Sequence, residues 1–386
     1  MTVSGERELV ARQPRLQVGV VGGSLGGLFA AALLAGNGHE VTVFERSGVR
    51  LSAEGAGVLA REPIVDILRD IHRDDVGRIA VSSDERVELD LSGDVVDRET
   101  TRHLQLSWDY LYEVFRQQLP SANYLLGHTV RAVHPGERHA TVELDDGREQ
   151  RFDLVVGADG EHSVTRASVV PGRKTNSYSG YAVWSGLVAE QALDDAATAT
   201  LAGRVTGYTA HDDQVLGYLV PGPGGETAAG SRRYQWLWSR AMPAERLAEL
   251  VEAAGGAPGA TAIVRGTLPD VLRRRLATEA EQNLPFAFGA VVGEEPAPSL
   301  RAVVDYTAPR MVAPRVALLG DAAVIVRPHP AMSAAKAARD AVALADFVEQ
   351  LPLAEALAAY ERDRLPAGKA IASYGRIFAN SSPLRK

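Results

Sequence analysis

The chain of 386 residues contains no cysteine. Disulfides, thiolate metal sites and cysteine nucleophiles are therefore excluded, and any electron chemistry must be borrowed from a cofactor. It also lacks a basic excess. Lys and Arg number 41 against 49 Asp and Glu, a formal net charge of −8. That balance argues against a general nucleic-acid binder, which needs a cationic surface to displace phosphate counterions. Nine histidines show no H-E-x-x-H or comparable cluster, so no metal site is expected. The start, Met1 to Pro14, has no apolar core and reads as a flexible leader, which makes the expected location cytoplasmic. The longest uncharged run, Val18 to Gly36, is about as long as a membrane span, but five glycines crowd its first half. It reads as strand, turn and buried helix, and no membrane partner is expected.

What is present is a βαβ opening. Leu16–Val21 is a short β-rich run, Gly26–Gly36 a helix, and Glu40–Phe44 a second strand ending at Glu45. Between strand and helix lies Gly22-Gly23-Ser24-Leu25-Gly26-Gly27-Leu28. Glycines there permit a tight turn and close approach of a pyrophosphate, and the helix N-terminus supplies N–H groups and a positive dipole end. Ser24 occupies the middle glycine position of G-x-G-x-x-G, which a serine can do if its φ stays negative. Glu45 lies at the spacing expected of a carboxylate that binds ribose hydroxyls.

Further along, Arg50–Ala60 reads as loop, Glu62–Ile71 as helix, Val87–Val96 as a strand pair, and Ser107–Leu119 as a helix capped by Ser107 and stopped by Pro120. Tyr124–Val133 and Ala140–Leu144 follow, then a hairpin turn at Asp145-Asp146-Gly147 and a buried strand Phe152–Gly157 ending in Ala158-Asp159-Gly160. From about Tyr178 the strands become short and rich in Tyr and Trp, as in an antiparallel sheet. Helical patterns return at Ala244–Ala253 and Val271–Ala280. Val316–Leu319 is a strand that feeds Gly320-Asp321 and the Ala-rich helix Ser333–Leu351; Leu353–Phe378 is mostly helical. The expected fold class is α/β: a Rossmann-like domain with a mostly parallel sheet, an inserted antiparallel-sheet substrate domain, and C-terminal helices. The first would comprise residues 1–85, 100–177 and 290–345, the second 86–99 and 178–289, and the helices 346–386.

Two later segments place an Asp just past a buried strand, D-L-V-V-G-A-D-G at 153–160 and V-A-L-L-G-D at 316–321. In open α/β sheets ligands bind at that edge. With the first turn, the three segments resemble the class A flavoprotein monooxygenases, the aromatic hydroxylases related to p-hydroxybenzoate and salicylate hydroxylase. Trp108–Tyr112, Tyr181–Trp184, Trp236–Arg240, Arg327-Pro328-His329, Lys336-Ala337 and Asp340-Ala341 resemble the 2,6-dihydroxypyridine 3-monooxygenase-like subgroup.

The resemblance implies FAD as cofactor, NADH or NADPH as electron donor, and O2 and a small aromatic or N-heteroaromatic substrate, hydroxylated through a flavin C4a-hydroperoxide; a homodimer is a further expectation. Gly22, Ser24, Leu25, Gly26 and Gly27 would line the pyrophosphate, Glu45 the ribose and Arg46 the adenine side. Arg116 would reach the phosphates and ribityl chain, Val130 would meet adenine, Asp159 and Gly160 would touch FAD and serve NAD(P)H use, and Asp321 would hold the ribityl chain. Pro328 and the helix start at Ser333, Ala334 and Ala335 would approach the isoalloxazine, where backbone N–H groups suit negative charge. His211, Tyr208 and Tyr218 are the candidates for a group that assists ionisation of the substrate. The chain departs from the family pattern at Val324, where His is common, at Ser185, where Arg is common, and at Ser333, where glycine is expected. A different flavin oxidation, such as epoxidation, Baeyer–Villiger insertion or decarboxylative hydroxylation, is an alternative. Ser24, Val324 and Ser333 motivate a third, a degenerate FAD-binding protein.

Overall fold

The computed structural model describes residues 14–51, 57–73, 75–172, 176–211, 213–328 and 331–381. His329 and, except for Pro14, the expected leader lie outside these residues. The first sheet has six strands in the order Val312–Ala313, Val316–Leu318, Leu154–Gly157, Gln17–Val21, Glu40–Glu45, Tyr124–Leu126. All neighbours are parallel except the first pair. The central strands are buried on both faces, which explains their uninterrupted Val-rich runs. Register aligns Val21 with Gly157 and Gly157 with Leu318. Three carboxyl ends therefore stand side by side, and the turns that leave them begin at Gly22, Ala158 and Leu319.

The second sheet has eight strands: Ala262–Ile263, Ser299–Asp305, Ser177–Ala189, Arg233–Ala241, Asp213–Val220, Val205–Thr209, Arg86–Leu89 and Val95–Glu99. It is antiparallel apart from the pairing of Val205–Thr209 with Arg86–Leu89. One face carries Trp184, Trp236, Trp238, Tyr234 and Tyr208 into a core with Leu276, Ala280, Phe288 and Val291 of the helices Asp270–Asn283 and Phe286–Glu294. The other face carries Tyr181, Val183 and Leu237. From that face Arg233 Nη1 binds Asp109 Oδ2 at 2.7 Å and Nη2 donates to Ser107 Oγ at 3.1 Å, which fastens the two sheets' units together. The mixed α/β class, with a mostly parallel sheet, an antiparallel sheet and C-terminal helices, is as read from the sequence.

Several element boundaries differ from the reading. Tyr124–Val133 is two strands: Tyr124–Leu126 closes the parallel sheet, whereas Val130–His134 joins Ala140–Leu144 and Glu149–Phe152 in a three-stranded sheet. Gly127, at φ +69°, turns the chain between them. Phe152–Gly157 likewise divides at Asp153. Gly57–Leu59, read as loop, pairs with His103–Ser107; residues 52–56 of that loop lie outside the described residues. Ser299–Asp305, placed with residues 290–345 in the nucleotide unit, hydrogen-bonds along Ser177–Ala189 in the eight-stranded sheet. Helices Asp195–Leu201 and Phe286–Glu294 were not anticipated. Among the described residues no helix is long and apolar enough to cross a membrane.

Candidate functional site

The glycine-rich turn is held by direct contacts. Gly22 has φ +102° and donates its N–H to Phe44 O at 2.9 Å. A Cβ on Gly22 would collide with Ala158, one on Gly23 with the Tyr124 hydroxyl, and one on Gly27 with the carbonyl oxygen of Gly22. These three glycines are required by packing as well as by any ligand. Ser24 has φ −76°, an extended geometry open to any residue, and is exposed as the N-cap of the helix Leu25–Gly36. Its side chain makes no capping bond, and among the described residues no acceptor takes the amides of Ser24, Leu25, Gly26 or Gly27. An uncapped N-terminus of this kind suits an anion.

Glu45 is buried, accepting from Gly23 N and Ser47 N at 2.8 Å each, one bond per oxygen. The remaining lone pairs can take ribose hydroxyls. Tyr124, unremarked in the sequence, donates to Gly23 O at 2.8 Å and meets the Tyr112 hydroxyl at 3.1 Å. Burial pushes its phenol well above the usual range. Arg116 lies 4.9 Å over the Tyr124 ring and donates to Leu119 O, so it stands beside this network. Arg46 is exposed just past Glu45. Val130 is buried in the three-stranded sheet.

The other two turns are joined by one buried arginine. Asp159 accepts from Ser163 Oγ at 2.6 Å and from Thr165 N and Oγ1 at 3.0 and 3.1 Å, so its carboxylate organises its own loop. Gly160 follows at φ +71°. Arg166 then donates to Ala322 O and Asp321 O at 3.0 Å each, binds Asn176 Oδ1 at 2.9 Å, and sits 3.7 Å over the Tyr306 ring. No motif in the sequence marks Arg166, which lies beyond the Asp159-Gly160 turn. Asp321 accepts from Ser333 Oγ at 3.0 Å. Desolvation raises its pKa, and the Lys336 charge and the Ser333 bond partly oppose that rise. Ser333 begins the helix Ser333–Gln350, and among the described residues the amides of Ser333, Ala334 and Ala335 have no acceptor. Pro328 is exposed ahead of that helix. The strained residue of this turn is Ala331, at φ +48°, rather than Ser333.

The three candidates for assisting ionisation are not brought together. Tyr218 lies on the face of the eight-stranded sheet turned to the nucleotide unit, where a Cβ on Gly57 would meet its ring. Burial pushes its phenol up to about 12. Tyr208 pairs with Val215 and points into the helix-covered core, on the opposite face. His211 is exposed at the turn between their strands. The sequence alone offers no register with which to separate the two faces. A cavity of 660 Å³ opens elsewhere, between Val133, His134, His162, Ser163 and Tyr178, and none of the predicted site residues lines it.

Comparison with known proteins decides the family. Residues 178–305 match the FAD binding domain-like family and residues 20–51 the NAD(P)-binding Rossmann-like domain. The chain is 30% identical to the 2,6-dihydroxypyridine 3-monooxygenase of Paenarthrobacter nicotinovorans, over 92% of this chain and 88% of that one. The chain belongs to the class A FAD-dependent aromatic monooxygenases. It is also 29% identical to a 3-amino-4-hydroxybenzoate 2-monooxygenase of Streptomyces cremeus, over 91% of this chain and 84% of that one. The solved 2,6-dihydroxypyridine-3-hydroxylase from Arthrobacter nicotinovorans superposes with a TM-score of 0.89 at 27% identity, covering 97% of this chain and 94% of that one. The site fits the cofactor of this monooxygenase family. Two helix N-termini offer unsatisfied amides for the anionic parts of FAD, and Glu45 and Asp321 offer acceptors for its hydroxyls.

Proposed function

We propose that this monooxygenase uses NAD(P)H and O2 to hydroxylate an electron-rich hydroxylated aromatic or N-heteroaromatic ring, of the hydroxypyridine or aminophenol kind. FAD would supply the two-electron store and the activation of O2. The amides of Ser24 to Gly27 would bind its pyrophosphate, Glu45 and Asp321 its hydroxyls, and the amides of Ser333, Ala334 and Ala335 the negative end of its ring. The substrate would lie against the sheet face that carries Tyr181, Val183, Leu237 and Tyr218. With its phenol at about 12, Tyr218 stays protonated at working pH and serves as a hydrogen-bond donor that orients the ring, not as a base. A need for NAD(P)H fits a cytoplasmic location.

The observation that carries this reading is the alignment of three turns at one sheet edge, with both unsatisfied helix N-termini at that edge. The test is oxygen uptake by the FAD-loaded protein with NADH or NADPH across a panel of hydroxypyridines and aminophenols, with product mass. One added oxygen supports the reading. Loss of two hydrogens, or no uptake with any member, rejects it.

A further inference from the structure

We propose that Lys336 is a positioning residue that biases the FAD site toward the reduced, negatively charged cofactor. This rests on the assignment of FAD to the chain.

Lys336 is an unusual residue to find where it is. It lies in the second turn of an Ala-rich helix, and its side chain is 1% exposed. Helical side chains lean toward the helix N-terminus. Its ammonium accordingly reaches back to Gly320 O at 2.8 Å, and Asp340, one turn further along, leans its Oδ2 back to meet it at 2.9 Å. Asp340, fully buried, also accepts from Gly320 N at 3.1 Å. The carboxylate is not left to Lys336 alone, because Arg364 Nε binds its other oxygen at 2.9 Å. One buried carboxylate thus serves two buried cations; Arg364 also faces Asp363 at 3.6 Å, and the Asp321 carboxylate feels the Lys336 charge from the turn itself. Arg166 adds another cation on the far side of that turn. All three carbonyls of Gly320, Asp321 and Ala322 are taken by Lys336 or Arg166.

Burying an ammonium and a carboxylate is costly, and an apolar pair of similar volume would serve packing at least as well. A purely structural role leaves the cost of this buried ammonium unexplained. Two-electron reduction of a flavin with uptake of one proton adds one negative charge. Lys336 sits one turn below the amides of Ser333, Ala334 and Ala335, so its charge acts in the same sense as the helix dipole there. A unit charge acting over about 10 Å through an effective dielectric of about 20 changes an equilibrium roughly tenfold.

The experiment measures the midpoint potential of bound FAD together with the dissociation constant of oxidised FAD in the wild type, Lys336→Met, Lys336→Arg and Asp340→Asn. Lys336→Met leaves Asp340 its Arg364 partner. It is expected to weaken reduced FAD about tenfold relative to oxidised FAD, a fall of about 30 mV for a two-electron couple. Lys336→Arg restores the potential, and Asp340→Asn, which removes a negative charge, raises it. A structural role alone predicts shifts of one sign or none. An unchanged potential in Lys336→Met, or a fall in Asp340→Asn, overturns the proposal. If Lys336→Met does not fold, Asp340→Asn decides: a rise supports the proposal, and no rise overturns it. A wild type that does not bind FAD at all would instead refute the cofactor assignment.

Discussion

Gly27→Ala separates two physical accounts of the turn by sign. Gly27 lies in the first turn of the helix Leu25–Gly36. Helix propensity alone makes the substitution favourable by about 1 kcal/mol. The geometry says the reverse. The new Cβ would overlap the carbonyl oxygen of Gly22 and lie 3.2 Å from Val20 Cγ1. Gly22 cannot step aside, because its N–H is bonded to Phe44 O and its α-carbon is wedged against Ala158. The clash is a methyl group against backbone that cannot rotate away, at the upper end of the roughly 1–3 kcal/mol typical of overpacking. Subtracting the propensity gain leaves a net loss of about 2 kcal/mol. Gly36→Ala is the control in the same helix, since a Cβ there meets nothing within 4 Å. It should be neutral or gain up to about 1 kcal/mol. Urea unfolding of the FAD-free proteins measures both, read from midpoints at unchanged m. Gly27→Ala should also weaken FAD binding, because opening the turn moves the amides of Ser24 to Gly27. If Gly27→Ala proves as stable as Gly36→Ala and binds FAD normally, the close-packing argument for this turn is wrong.

Asp321→Asn should stabilise the FAD-free protein while lowering its FAD occupancy. Desolvation raises the folded-state pKa of Asp321, so ionising it costs folding free energy above its ordinary pKa of about 4; the gain from Asn is therefore expected at neutral pH and should vanish on acidification, as pH-dependent denaturation can check. Ala331→Gly should stabilise by about 0.5 kcal/mol, because relief of a left-handed alanine slightly outweighs the added entropy of unfolded glycine; a lowered thermal midpoint would show that the turn is unstrained. Tyr218→Phe should raise KM by roughly two- to tenfold through loss of one hydrogen bond, with no change in the neutral pH profile, whereas Tyr208→Phe should leave KM and kcat alone; a KM effect from Tyr208 would overturn the assignment of faces.

The parallel sheet was legible because its central strands are buried on both faces and so read as largely apolar runs, ended by a small residue or, at Glu45, by an acid. Where two strands of different sheets are separated by only one to three residues, as at Asp153 and at Gly127-His128-Thr129, the pair read as a single strand. The faces of the eight-stranded sheet were not legible either. Helices cover one side and the nucleotide unit the other, so alternation of apolar and polar residues does not mark an outside. Tyr208 and Tyr218 stand ten residues apart, yet Tyr208 opposes Val215, which puts the two tyrosines on opposite faces. Register across a turn holds that information, and composition does not. Lys336 and Asp340 left a clearer trace: a charged pair four residues apart in an Ala-rich helix is unexpected on a buried face, here the one that meets Arg364 and Gly368 of the helix Leu353–Ser381.

The departures at Ser24, Val324 and Ser333 are the strongest argument for a degenerate protein, and each is locally accommodated. Ser24 needs no left-handed backbone and leaves the helix amides uncovered. Val324 is fully buried in the hydrophobic core and bridges to Thr307, so an imidazole there would carry a desolvation cost that valine avoids. Ser333 turns the loss of a glycine into a hydrogen bond to Asp321. That bond ties the helix start to the turn whose carbonyls Lys336 and Arg166 hold. A chain relieved of the need to bind a cofactor would have no reason to keep four buried ionic groups around one three-residue turn, since each is costly to desolvate and apolar replacements cost less. The energetic burden falls at the turn proposed to hold FAD, which is the arrangement expected of a working site.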